Sequence, residues 1–530
     1  MSNSKPGPPR YPSIFNDVIG PVMRGPSSSH CAAALRIARM ARDLMDGRIE
    51  DVLIQYDSSG SLATTHHSQG SDMGIFGGLL GWDATDERLA ESARAIQEAG
   101  IGTRIEIADL RGEHPNTYKL TLGNSAERHT LTAVSTGGGM IEVLEIDGAK
   151  VSMSGDYYET LLFLDSGGDE IIEYLNQSIP ADEILLLNAP GARIIEIKAQ
   201  SFLEPGIVSE LLSRYGVRRQ KTISPVLPVL SRKRIEVPFI TCDEMVQYNQ
   251  DKNLELWELA VHYESARGNI SHAQVFERMK EIVHVLQKSI QQGIGGTEYA
   301  DRILGYQSGL FRNGMEENRL LDAGMLNLII LYVTALMEMK SSMGVIVAAP
   351  TAGSCGGLPG ACIGAAGAMG LSRDDMARAM LAAGMIGVFI AARSTFAAEV
   401  CGCQAECGAG SGMAAAALAT LAKGTLQQAL GAASMALQNV LGLICDPVAN
   451  RVEAPCLGRN VMAAANALAC ANMALADYDP VIPLDEVIET MDRVGKSLPR
   501  ELRCTALGGL SITRTSREIE RRLKGPGESL

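Results

Sequence analysis

Three thiols carry the most legible chemistry in this chain. Cys403, Cys445 and Cys456 stand at C-x41-C-x10-C, within GCQAECG and LICDPVANRVEAPC, and the run between them is so rich in Ala and Gly that backbones must pack closely. Thiolates are the soft ligands that iron–sulfur clusters and zinc select. Structural zinc usually brings paired C-x2-4-C knuckles, which this spacing lacks. Three ligands on a cubane would leave one iron open, and an open metal can polarise a hydroxyl or carboxylate oxygen. The other reading is that all three are buried small hydrophobes, as free cysteines commonly are. Spacing alone leaves both open.

A second constellation lies near the N-terminus. IGPVMRGPSSSH runs into CAAALRIARMARDLM, whose apolar residues Leu35, Ile37, Ala38, Met40, Ala41 and Leu44 predict a helix beginning near the serines. Ser27, Ser28 and Ser29 can cap that helix, and unpaired N–H groups with hydroxyls there favour an anion such as a carboxylate. His30 adds a group able to take a proton near neutral pH.

The elements that position these residues fall into three parts, so the fold class is multidomain α+β. Residues 14–155 mix strands (DVLIQYDSSGSLATTHH, RIEIADL, YKLTLGN, HTLTAVSTGGGMIEVLEIDG) with helices, and HPNT at His114–Thr117 falls in a turn between two strands. Gly137, Gly138 and Gly139 permit close backbone approach. Residues 156–230 read as β-α-β-β-α-β, a ferredoxin-like order that suits a small regulatory or linking domain. From 236 to 530 the pattern is helical throughout, with Gly-rich breaks at APTAGSCGGLPG and CGCQAECGAGSG where backbone N–H groups and ligands meet.

Composition narrows the class. A chain of 530 residues is too long for one core. Its net charge of −14 argues against a nucleic-acid or anionic-membrane partner. Eleven scattered cysteines and no secretory signal favour a reducing, cytoplasmic compartment. MSNSKPGPPRYPS has no apolar core and reads as a short disordered lead. The charge-free stretch between Lys340 and Arg373 is long enough to span a membrane, yet PTAGSCGGLPG interrupts it, so buried helices explain it better.

Taken together, GPSSSH, HPNT, APTAGSCGGLPG, GCQAECG and LICDPVANRVEAPC resemble the iron–sulfur-dependent L-serine dehydratase family over nearly the whole chain. The first two motifs are similar to its β-type domain and the others to its α-type catalytic domain. An ACT-type domain, present between the halves in some members, is what the β-α-β-β-α-β stretch resembles. This likeness implies a lyase with a [4Fe-4S] cluster on Cys403, Cys445 and Cys456. It implies that the substrate β-hydroxyl meets the open iron while His30 removes the Cα proton, giving a 2-oxo acid and ammonia from L-serine or a close β-hydroxy amino acid. Ser27, Ser28 and Ser29 would hold the carboxylate, with His114, Asn116 and Thr117 in the same pocket.

Departures bear on the substrate. Many members have a KGHGTD-like segment where this chain reads HHSQGSD, so His67, Gln69 and Ser71 stand in for Lys, His and Thr. CAAALR follows the serine motif where relatives often show TVG. Some members end in a cysteine proposed to cap the open iron, whereas here the last thiol is Cys504 and the sequence closes on GESL. Cys401 and Cys407 are alternative ligands by proximity. Competing expectations are a non-catalytic amino-acid sensor with a structural metal site and a zinc-structured scaffold. A small-molecule amino-acid substrate and a symmetric homodimer complete the expectations.

Overall fold

Alternation along Asp51–Asp57 buries Val52, Ile54 and Tyr56, the period-two pattern of a strand with one face on a core. The strand is second from one edge of a six-stranded sheet ordered Gly102–Ala108, Asp51–Asp57, Thr117–Gly123, Arg128–Gly137, Met140–Ile146, Ala149–Met153. Its first pair is parallel and the rest are antiparallel. The helix Ala33–Leu44 covers it, burying Ile37, Ala38, Met40, Ala41 and Leu44. The computed structural model describes residues 11–189 and 192–524, so most of the short lead lies outside the described residues.

The strand expected to run on through SLATTHH stops at Asp57. Asp57 accepts from the Ser59 and Gly112 amides, which turns the chain, and Leu62–Thr65 forms one helical turn instead. Here a side chain competing for backbone donors overrides the β preference of two threonines.

The middle segment runs strand Tyr158–Leu164, helix Asp169–Ser178, strands Glu183–Ala189 and Ala192–Ala199, helix Pro205–Arg214 and strand Val217–Ile223. Its sheet is antiparallel, ordered last, first, third, second. Alternate residues serve different cores. Leu162, Leu164, Ile195 and Ile197 pack with Ile171, Leu175 and Leu211 of the two helices, while Leu161, Phe163, Ile194 and Ile223 join the core of the six-stranded sheet.

Glu159 and Glu196 share the second face and are buried, and none of their four carboxylate oxygens has a hydrogen-bond partner. Lys198 Nζ stands 3.8 Å from Glu196. Burial, reinforced by the charge of Glu196, pushes Glu159 up to about 9, and burial against the opposing charge of Lys198 pushes Glu196 up to about 7. The folded state therefore holds protons that the unfolded chain releases near pH 4.5. Stability from these two groups is complete below that pH and is lost as pH rises through 7 and then 9, at up to about 1.4 kcal/mol per proton per pH unit. Urea midpoints should fall between pH 5 and 9 in the wild-type protein and fall much less in an E159Q/E196Q variant; equal slopes would remove these carboxylates as the cause.

Among the described residues the regular elements of the C-terminal half are helices, apart from Ile346–Val347, a two-residue strand paired antiparallel with Val22–Met23. Its longest apolar helix, Arg373–Arg393, is long and apolar enough to cross a membrane by composition, yet lies 83% buried among other helices. That helix also receives the start of the chain. A Cβ on Gly387 would lie 2.1 Å from Val18, so only glycine admits the turn Ile14–Val18 into this core. Ser13 and the Ile14 amide donate to Glu264 from the same half, at 2.5 and 2.8 Å. Residues 14–19 thus share a core with the helical half rather than with the six-stranded sheet.

Candidate active site

Two of the three predicted thiols sit where helical turns begin. Cys403 opens the turn Cys403–Ala405 between helices Ala398–Cys401 and Cys407–Leu421, and Cys456 is the first residue of Cys456–Leu475. Cys445 is fixed by backbone pairing: its amide donates to Leu502 O at 2.8 Å, and the Cys504 amide donates back to Cys445 O at 2.9 Å. Asn460 ties the APTAGSCGGLPG loop to the Cys456 helix, accepting from the Gly356 and Gly357 amides and donating to Gly353 O and Cys456 O.

Cys403, Cys407, Cys445 and Cys504 pack in one small buried cluster, and the charge of Cys403 acts on both Cys445 and Cys456. A hydrogen bond from Cys407, assisted by Arg459, holds Cys403 down at about 7 against its burial. Cys445 is held far above the usual thiol range by its bond with Cys504 and by burial, and Cys456 is raised by burial. Arg459 Nη2 also pairs with Asp446 at 2.6 Å. Cys407 faces this group, with Asn460 Nδ2 3.6 Å from its sulfur, whereas Cys401 faces Gly495 and Asp492. Among the described residues no three His, Cys, Asp or Glu side chains close on one point as a single-ion site does. The donors gathered here are sulfurs with Arg459 beside Cys403, the soft ligand chemistry that iron–sulfur clusters and zinc select.

The serines do not cap the helix as expected. Ser27 makes no capping bond, and its hydroxyl lies 3.0 Å from His30 Nδ1, with Ser29 Oγ at 3.1 Å. Ser28 Oγ instead accepts from the Ala352 amide of the opposite half at 3.1 Å. His30 is fully buried, and its Nε2 lies 2.8 Å from Thr65 Oγ1. Thr65 spends its one hydroxyl hydrogen on Ser61 O at 2.8 Å, so it can only accept from Nε2–H. Nδ1 is therefore the proton acceptor. Burial lowers His30 to about 4, only partly offset by the charge of Glu399.

Glu399 is the site residue that sequence reasoning missed. It accepts from Ser29 Oγ at 3.1 Å and lies 3.9 Å from His30 Nδ1. Its charge also reaches His114, Glu406 and Cys504. Gly137 brings the six-stranded sheet to this point, since a Cβ there would lie 3.0 Å from Ala397, two residues before Glu399. In HPNT, His114 Nδ1 accepts from the Asn116 amide and His114 O accepts from Thr117 Oγ1. Ser61 Oγ donates to Asn116 Oδ1, leaving Asn116 Nδ2 buried without a partner. HPNT and the serine motif are thus joined through Ser61 and Thr65.

HHSQGSD lies across the junction of the halves. Gln69 Nε2 donates to Asn450 Oδ1 at 3.1 Å and approaches Cys504 Sγ at 4.0 Å, while Asn450 Nδ2 donates to Thr64 O at 2.9 Å. His66 pairs with Asp72 and stacks on Tyr56, and Ser71 meets Tyr118 OH. His67 lines a 360 Å³ cavity with Ser68, Asp72, Lys340, Arg451 and Glu453.

An α+β part carrying a buried histidine and a helical part carrying a thiol cluster meet beside one carboxylate and frame a two-part candidate site. The family model described as serine dehydratase alpha chain matches residues 251–511. The probable L-serine dehydratase alpha chain of Bacillus subtilis is 34% identical over 287 residues, 54% of this chain and 96% of its own. The corresponding probable beta chain of that organism is 40% identical over 148 residues, 28% of this chain and 66% of its own. L-serine dehydratase 1 of Escherichia coli is 32% identical over 498 residues, 92% of this chain and 96% of its own. The chain belongs to the serine dehydratase family, with alpha- and beta-type parts in one polypeptide.

Proposed function

We propose that the chain is an iron–sulfur-dependent lyase that converts L-serine, or a close β-hydroxy amino acid, to a 2-oxo acid and ammonia. Its relatives in Bacillus subtilis and Escherichia coli carry the name L-serine dehydratase. The observation that carries the reading is Glu399, where the His30 corner of one half meets the thiol-bearing segment of the other. Cys403, Cys445 and Cys456 would hold the [4Fe-4S] cluster, whose open iron, when bound, supplies a Lewis acid for the departing hydroxide.

The remaining work falls to side chains. His30 Nδ1 takes the Cα proton, with Ser27 donating to that nitrogen and Thr65 accepting from Nε2–H to fix the ring. Ser28, His114, Asn116 and Thr117 line the substrate beside it, and the unpartnered Asn116 Nδ2 offers a buried donor to a substrate oxygen. All eleven cysteines are free and buried, which supports a reducing cytoplasmic setting, and a homodimer belongs to the same proposal.

Anaerobic purification followed by a panel of β-hydroxy amino acids tests the reading. A brown, air-bleached protein that releases 2-oxo acid from L-serine is expected. Colourless protein that yields no oxo acid from any panel member after iron and sulfide reconstitution overturns it.

A further inference from the structure

Lys340 lies in the last turn of the helix Met325–Ser341 with only 1% of its surface exposed, and its Nζ has no hydrogen-bond partner. A buried ammonium without a partner is strongly unfavourable, so a position that keeps one calls for an anion that arrives later. Its surroundings locate that anion. Lys340 lines the 360 Å³ cavity between HHSQGSD and Arg451–Glu453, and its charge reaches Glu406, Cys355 and Cys456 on the far side.

The carboxylates nearby are already engaged. Glu406 Oε1 accepts from Thr351 Oγ1 at 2.9 Å, Glu453 Oε2 accepts from the Ile303 and Leu304 amides, and Asp72 accepts from Tyr56 and His66. Arg451, the other cation on the cavity wall, is spent on Asp301 at 2.7 Å. Across the site, the serine corner offers hydroxyls but no positive charge, and Glu399 stands within hydrogen-bond distance of Ser29. An anion resting against those hydroxyls therefore needs a cation from elsewhere. Ser28 contacts Ala352, whose neighbour Thr351 contacts Glu406, and the charge of Lys340 is felt at Glu406, so the serine corner and Lys340 lie on either side of that carboxylate.

We infer that Lys340 is the counter-cation for the substrate's α-carboxylate, and that the amino acid reaches it through the cavity beneath HHSQGSD. The inference rests on the dehydratase reading and adds to it a charge-reading residue. Pairing occurs in a dry pocket, where such a contact carries more weight than at a surface. It also accounts for Lys340 in the free protein: the charge is desolvated in advance, and the substrate supplies its partner.

The test uses the iron-loaded full chain and non-reacting probes, L-alanine and its neutral amide L-alaninamide, with affinities from calorimetry or ligand-observed NMR. The wild-type protein should favour L-alanine roughly 30-fold or more, a ratio expected for a buried charge pair. K340M and K340Q should bring the ratio near one while iron and sulfide content and the melting temperature stay at or above wild type, because an unpaired buried charge is being removed. An unchanged preference in both variants overturns the assignment. So does loss of iron and sulfide with the preference intact, which would make Lys340 a balance for the thiolates. If the wild-type protein neither binds the probes nor releases 2-oxo acid from L-serine, the dehydratase reading itself has failed.

Discussion

Cys445→Ser is expected to leave anaerobically reconstituted protein with less than its full iron and sulfide and with activity at background. Serine oxygen is a harder and poorer cluster ligand than thiolate sulfur, and the Cys445 backbone is pinned on both sides by its pairing with Leu502 and Cys504, so the chain cannot shift to bring in another atom. A thiol bonded to Cys445 is placed to substitute. Cys504 bonds Cys445 through its side chain and is buried beside it. The decisive comparison is therefore between Cys445→Ser, Cys504→Ser and the pair. Full iron in Cys445→Ser with loss only in the double variant identifies a rescue by Cys504. Full iron in both removes Cys445 from the ligand set.

His30→Ala is expected to lower kcat by on the order of 10²- to 10⁴-fold, the usual contribution of a positioned base, while iron content and substrate affinity hold. The base is neutral in the folded protein well below neutral pH, since burial lowers it to about 4. The acid limb of kcat/KM for the wild-type protein should therefore lie near pH 4 rather than 6.5. An acid limb at 6.5 that survives in His30→Ala would assign it elsewhere, and His114, whose pKa is lowered by burial against the charge of Glu399, becomes the next candidate. His30→Gln is a useful control, because an amide can still donate to Thr65 while lacking a basic nitrogen.

Much of this site could be read before any coordinates, and the parts that could not share a cause. Cys403, Cys445, Cys456 and the SSSH run stand out by residue type, but spacing alone leaves the thiols open between ligands and buried hydrophobes, and only the resemblance of the motifs assigns them a role. The strand and helix order of the middle segment is legible from its hydrophobic period. Glu399 is hidden because its role comes from contact with Ser29 and His30, more than three hundred positions away, and AEVCGC offers only an acid near a thiol as a hint. Lys340 is hidden for a related reason. Its position in MEMKSSMG reads as the charged end of an apolar helix, and only tertiary packing buries it. Ser27 misleads in the opposite direction: a serine before a helix suggests a cap, but here a nearby imidazole takes its hydroxyl.

The threading of residues 14–19 into the core around Arg373–Arg393, together with the pairing of Val22–Met23 against Ile346–Val347, changes what holds the two halves together. The peptide joining them is not the main tether. If that connection were severed, the fragments would stay clasped by the buried hook at the chain's beginning, and neither could leave without opening the other's interior. One polypeptide carries both the hook and the groove that receives it, so the two halves are interlocked as well as joined.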